Sequence, residues 1–181
     1  MLAVLAVLAV LLAAGVAIYA WWDELVPRGR PALLRGNPTR LQDQRVPGFS
    51  LPGLVGPGFE ARDLLTAKKP IVVKFWGSWS PACILEYPQL LELQSAWVEM
   101  WAISFRDNRT NALDYLERNG NPYARVALDV GGRVASDWGV SVAPSTFIVD
   151  GDGVVRWYRA GPLTSQIVAR EIWTMLERLA I

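Results

Sequence analysis

Residues 71–93 read IVVKFWGSWSPACILEYPQLLEL, and this stretch limits the architectures open to the chain. Residues 71–76 are apolar apart from Lys74 and read as a buried strand. Gly77 and Ser78 make a turn. Ser80 stands where a helix cap belongs, and Pro81 suits the first turn, where no backbone donor is missed. Cys83, the only cysteine, falls in that same turn. Unpaired backbone N–H groups at a helix start favour a thiolate there. The stretch is a strand-to-helix corner suited to thiol chemistry.

The rest of the body continues the alternation. A short strand is expected near Phe49 and a second strand and turn over residues 59–65. The helix after the corner is expected to run to about Ala96, kinked at Pro88, with Leu85, Leu90, Leu93 and Trp97 inward. Residues 98–105 read as a second core strand. A helix capped by Asn108 or Thr110 then runs to about Arg118, with Ala112, Leu113 and Leu116 inward. Residues 124–128 form a short strand, and a brief helix carries Val134, Ala135 and Trp138. Residues 146–149 and 154–158 pair through the DGDG turn at residues 150–153. Thr164 or Ser165 caps a final helix with Ile167, Val168, Ile172, Met175, Leu176 and Leu179 along one side. Trp101, Trp138 and Trp173 read as core. This order implies an α/β fold, a central mixed sheet flanked by helices on both faces.

Composition removes several chemistries. The chain has no histidine, so no Ser–His–Asp triad, Cys–His dyad or histidine metal site exists within it. One cysteine leaves no intrachain disulfide and no cysteine-rich metal cluster. A net charge of +1 without a basic block argues against nucleic-acid binding. The glycine turns at residues 131–132 and 150–153 lack phosphate-loop or calcium-loop spacing. No metal and no cofactor is expected.

Residues 2–22 carry no charge, and at about 1.5 Å per residue they span about 30 Å, a hydrocarbon core. Tyr19, Trp21 and Trp22 close the run as interfacial residues do. The basic start of a cleaved signal peptide is missing, and the apolar run exceeds the usual length, so an uncleaved anchor is expected. Residues 1–22 are read as a transmembrane anchor, 23–46 as a linker rich in Pro, Gly and Arg, and 47–181 as the globular domain. Arg28 and Arg30 follow the anchor and by themselves would place the domain in the cytoplasm.

Three segments carry a resemblance: KPIVVKFWGSWSPACILEYP at 69–88, ERNGNPYARVALD at 117–129, and DWGVSVAPSTFIVDGDGVVRWYRAG at 137–161. Together they resemble the thioredoxin superfamily, and within it the membrane-anchored periplasmic thioredoxins of cytochrome c biogenesis, the DsbE/CcmG type. The resemblance implies a thioredoxin-like fold, one N-terminal transmembrane helix in the inner membrane, and a domain in the periplasm. It implies that Trp79 precedes the active-site pair, that Ser80 stands at the attacking cysteine, and that Cys83 matches the resolving one. It further implies that Pro144 is the cis-proline facing the site, preceded by Ala143, and that Glu86 is the acidic residue after the second cysteine. Protein or peptide partners are implied, among them apocytochrome c or a membrane assembly complex.

The departures bear on activity. A thiolate must attack a disulfide before a second thiol resolves it, and a serine hydroxyl cannot take that first step. Either an engineered substitution or a natural loss yields this sequence. Ile84 and Ser145 replace the basic residue and the glutamate frequent at their positions. Lys74 occupies a strand position that is acidic in many thioredoxins; it either faces Cys83 and favours the thiolate, or packs its stem and sends its amine to water. The expected role is thiol–disulfide interchange in cytochrome c maturation, reducing or holding apocytochrome cysteines, with redox turnover absent. Two alternatives stand beside it. One is a non-catalytic binding or assembly subunit that holds an extended peptide with Trp76, Trp79, Tyr87 and the edge at Ala143 and Pro144. The other is a one-cysteine peroxidase using Ser80 and Cys83, with Arg106 or Arg159 as the needed cation.

Overall fold

The computed structural model describes residues 39–180. The expected anchor and the first part of the linker lie outside the described residues. Among the described residues no helix is long and apolar enough to cross a membrane.

The strands are β1 (Ser50–Leu51), β2 (Gly53–Val55), β3 (Phe59–Glu60), β4 (Ile71–Trp76), β5 (Met100–Phe105), β6 (Arg125–Asp129), β7 (Ser145–Val149) and β8 (Val155–Ala160). A six-stranded sheet runs β2-β6-β5-β4-β7-β8, while β1 and β3 pair apart from it. β4, β5 and β6 are parallel, and β2, β7 and β8 join antiparallel. This is the expected mixed sheet of a thioredoxin-like fold. Every residue of β4, β5 and β7 is buried, because helices cover both faces. In β4 the side chains alternate: Ile71, Val73 and Phe75 enter one core, Val72 and Trp76 the other.

The helices are α1 (Ala61–Thr66), α2 (Ala82–Leu85), α3 (Tyr87–Ser95), α4 (Arg109–Asn119), α5 (Arg133–Asp137), α6 (Ser165–Ile167) and α7 (Trp173–Leu179); one π turn, Val168–Ile172, joins the last two. Asn108 caps α4 by accepting from Asn111 N, and Thr164 caps α6 by accepting from Ile167 N. Asp150 Oδ1 accepts from the Asp152 and Val154 amides and shapes the β7–β8 turn.

Four expectations need correction. Residues 61–66 are helical rather than strand and turn, because Glu60 and Asp63 form a reciprocal capping box. The corner helix does not run continuously to residue 96 but breaks at Glu86, two residues before Pro88. Leu85, at the end of the four-residue α2, and Trp97, two residues past α3 with a left-handed φ of 62°, are 71% and 93% exposed instead of inward. Finally, Leu41 and Val46, in the stretch read as linker, are buried in the core, and Arg45 bridges Val154.

Candidate functional site

The site lies where β4 ends. Gly77 lets the Trp79 ring lie against the backbone: a Cβ would sit 2.3 Å from Trp79 Nε1 and displace the ring. Trp79 donates that N–H to the Phe105 carbonyl at 3.1 Å, packs edge-on against the Phe105 ring, and stays 49% exposed. Asp107, buried at the end of β5, organises the turn. Its carboxylate accepts from Ser78 N at 2.7 Å, Ser78 Oγ at 2.9 Å, Ser104 Oγ at 3.2 Å and Asn108 N at 2.9 Å. Sequence reasoning missed Asp107. Its one legible signal is its place beside the helix cap Asn108.

Ser80 is buried, and its hydroxyl does not cap α2. It donates instead to the Ala143 carbonyl at 2.7 Å. Ala143–Pro144 is a cis peptide bond. Ser80, Ala143 and Pro144, far apart in sequence, therefore meet at one point. Behind them Cys83 is 2% exposed, and its amide donates to the Ser80 carbonyl. Burial pushes the Cys83 thiol up, against the lowering effect of the Gly77 amide; Glu86 adds to the rise, while Ser80 and Lys74 oppose it. The helix-start preference for a thiolate is thus outweighed, in keeping with a buried, shielded thiol. α2 has only four residues, and desolvation outweighs its few free N–H groups.

Lys74 follows its expected courses only in part: it lowers the Cys83 thiol, yet its amine is fully buried and does not reach water. It lies 2.7 Å from Glu86 Oε1 and donates to Glu86 Oε2 at 2.9 Å and Thr146 Oγ1 at 2.6 Å. Glu86 Oε2 also accepts from Leu163 N at 2.9 Å. The pair is therefore compensated from β4, the α2–α3 junction, β7 and the loop before α6. Thr146 and the Leu163 amide were not legible as partners, since only tertiary packing brings them here.

Trp76 and Tyr87, read as rim or core, are buried, which leaves Trp79 as the exposed ring of the three. Trp76 stands 5.0 Å from the Tyr115 ring and 6.4 Å from Tyr123, and Tyr87 donates to the Gly120 carbonyl. Burial, with Cys83 nearby, pushes the Tyr87 hydroxyl up to about 12 and raises Tyr115 further. Arg106 lies over Gly132, and Arg159 is 3.5 Å from Glu171. Ser145 donates to the Val142 carbonyl, and Ile84 projects outward.

Comparison with known proteins places this geometry. Residues 43–158 match the AhpC/TSA family. The chain is 39% identical over 137 residues to the thiol:disulfide interchange protein DsbE of Xylella fastidiosa, covering 75% of this chain and 70% of that protein. It is 35% identical over 147 residues to DsbE of Escherichia coli K12, covering 78% and 80% respectively. Among solved structures, a DsbE-type protein from Chlorobium tepidum superposes with a TM-score of 0.65 at 22% identity, over 74% of this chain and 95% of that one. The sheet order, the corner and these likenesses agree: the chain belongs to the AhpC/TSA family, within the thioredoxin superfamily, and is a relative of the DsbE-type thiol:disulfide interchange proteins.

Proposed function

We propose that this protein is a redox-silent relative of the DsbE proteins that docks an extended, cysteine-bearing polypeptide at the Trp79–Ala143–Pro144 edge and does not turn it over. The observation that carries the reading is Ser80: a hydroxyl, engaged with the Ala143 carbonyl at 2.7 Å, stands three residues before the only thiol. A hydroxyl has no disulfide chemistry, and Cys83 is shielded behind it. Docking needs neither thiol. It needs a ring to pack on and edge backbone to pair with, and Trp79, Val142 and Ala143 supply these.

The partner is an unfolded segment bearing the haem-attachment pattern Cys-x-x-Cys-His, as in apocytochrome c. The domain works in the periplasm, held to the inner membrane by residues 1–22, and in that setting its role is to hold such a segment within an assembly complex. Ser80, Cys83, Lys74 and Glu86 then form a remnant reaction site, and Trp79, Ala143 and Pro144 form the binding edge.

Insulin reduction tests the reading. The protein is expected to show no turnover above background. Ser80→Cys is expected to gain it, because the cis-proline, Cys83 and Glu86 frame is intact. A peptide with the Cys-x-x-Cys-His pattern should bind the unmodified protein, as calorimetry would report, and bind Trp79→Ala more weakly. Insulin turnover by the unmodified protein, or failure of that peptide to bind, overturns the proposal. The Ser80-x-x-Cys83 spacing and the AhpC/TSA match favour one rival, a one-cysteine peroxidase. Peroxide consumption that disappears in Cys83→Ser would establish it and displace docking.

A further inference from the structure

A groove of about 440 Å³ opens beside Ser80, between the corner and α4. The corner contributes Trp79, Pro81 and Ile84, an apolar wall whose Trp79 and Ile84 are about half exposed. The α4 side is polar. Asn111, Tyr115, Arg118 and Asn119 recur at helical spacing and form one stripe along the groove. No carboxylate lines it, so Arg118 is its one charge. Among the described residues Arg118 makes no ion pair; its Nε donates to the Asp114 carbonyl, which leaves the terminal N–H groups uncommitted.

Tyr115 closes the inner side of the groove. It is only 6% exposed, and its hydroxyl is cut off from solvent among the core side chains, without a hydrogen-bond partner.

We propose that this groove is a specificity subsite of the docking edge, which takes an acidic residue of the partner polypeptide beside an apolar one. The carboxylate meets the Arg118 guanidinium at the α4 rim, and the neighbouring apolar side chain packs between Trp79 and Ile84. Charge complementarity selects this occupant: a lone cation with amide neighbours, facing an apolar wall, rejects basic segments and favours acidic ones. Ser80 belongs to both the groove and the Ala143 contact, so one extended segment crosses from edge to groove without a gap. The inference rests on the docking reading and adds what the partner must carry.

The test uses the full chain and a positional-scanning set of blocked, cysteine-free decapeptides, with binding read by isothermal titration calorimetry. Glutamate is expected to bind about fivefold more tightly than glutamine at one position, with leucine or valine preferred beside it. The preference should fade as salt is raised. Arg118→Gln should bring the Glu/Gln ratio to within about twofold and leave binding of the glutamine peptides intact. Arg133→Gln, which removes a cation on α5, should keep the ratio. Equal binding of Glu and Gln peptides, or a ratio unchanged in Arg118→Gln, overturns the subsite while docking stands. Absence of binding by every peptide overturns docking and the subsite together.

Discussion

The two faces of the sheet are built on opposite terms. One packs rings against rings: Phe75, Phe147 and Trp138 lie within 5.0–5.7 Å of one another, extended by Phe49, Phe59 and Trp101. The other encloses Cys83, Tyr87, Tyr115 and Tyr123 beside the Lys74–Glu86 pair. The same strand serves both, through alternate residues of β4. On the first face stability follows area removed from water. On the second it also depends on matching buried polar groups, chief among them the Lys74–Glu86 pair. Each face leaves a buried donor unpaired: Trp138 Nε1 on the first, the Tyr115 hydroxyl and Trp76 Nε1 on the second.

The largest effect should come from breaking the ion pair. Lys74→Ala leaves the Glu86 carboxylate buried and uncompensated, and a loss of about 3–5 kcal/mol in urea unfolding is expected. Replacing both, Lys74→Met with Glu86→Leu, should recover most of that loss. A double variant as unstable as the sum of the singles would erase the contrast between the faces. On the ring-packed face, Ile71→Val should cost about 0.5–1.5 kcal/mol, with peptide docking unchanged. A docking defect there would show that the faces are not independent.

The smallest effect concerns pH. The folded-state thiol of Cys83 is raised by burial, so its contribution is fully present below the ordinary value near 9 and is lost as pH rises beyond it. Stability should therefore fall more between pH 8 and 10 in the unmodified protein than in Cys83→Ala, as urea titrations at each pH would report. An alkylation rate at pH 8 matching free cysteine would contradict the shielding.

Much of the fold was legible because its signals are local. The apolar runs of β4 and β5, the Asn108 and Thr164 caps and the DGDG turn each depend on neighbours within a few residues. The failures come where tertiary contacts intervene. The inward placement of Leu85 and Trp97 follows from one helical period carried through residue 96, but the backbone breaks at Glu86, whose carboxylate turns inward to Lys74, and the helix ends at Ser95. That contact lies twelve residues back in sequence, which no helical period encodes. The meeting of Ser80 with Ala143 was foreseeable through family resemblance alone, since 63 residues separate them. Arg118 and Tyr115 went unnoticed because a helix stripe gains meaning only once the wall opposite it is known.

The hydrogen bond from Leu163 to Glu86 spans 77 residues. A chain made from its N-terminus has the Glu86 carboxylate in place long before the amide that completes its shell has been synthesised. The corner should thus be finished only after the C-terminal segment arrives. A nascent or truncated chain ending before residue 163 would carry an unfinished corner, and chaperones and proteases would meet it in that state.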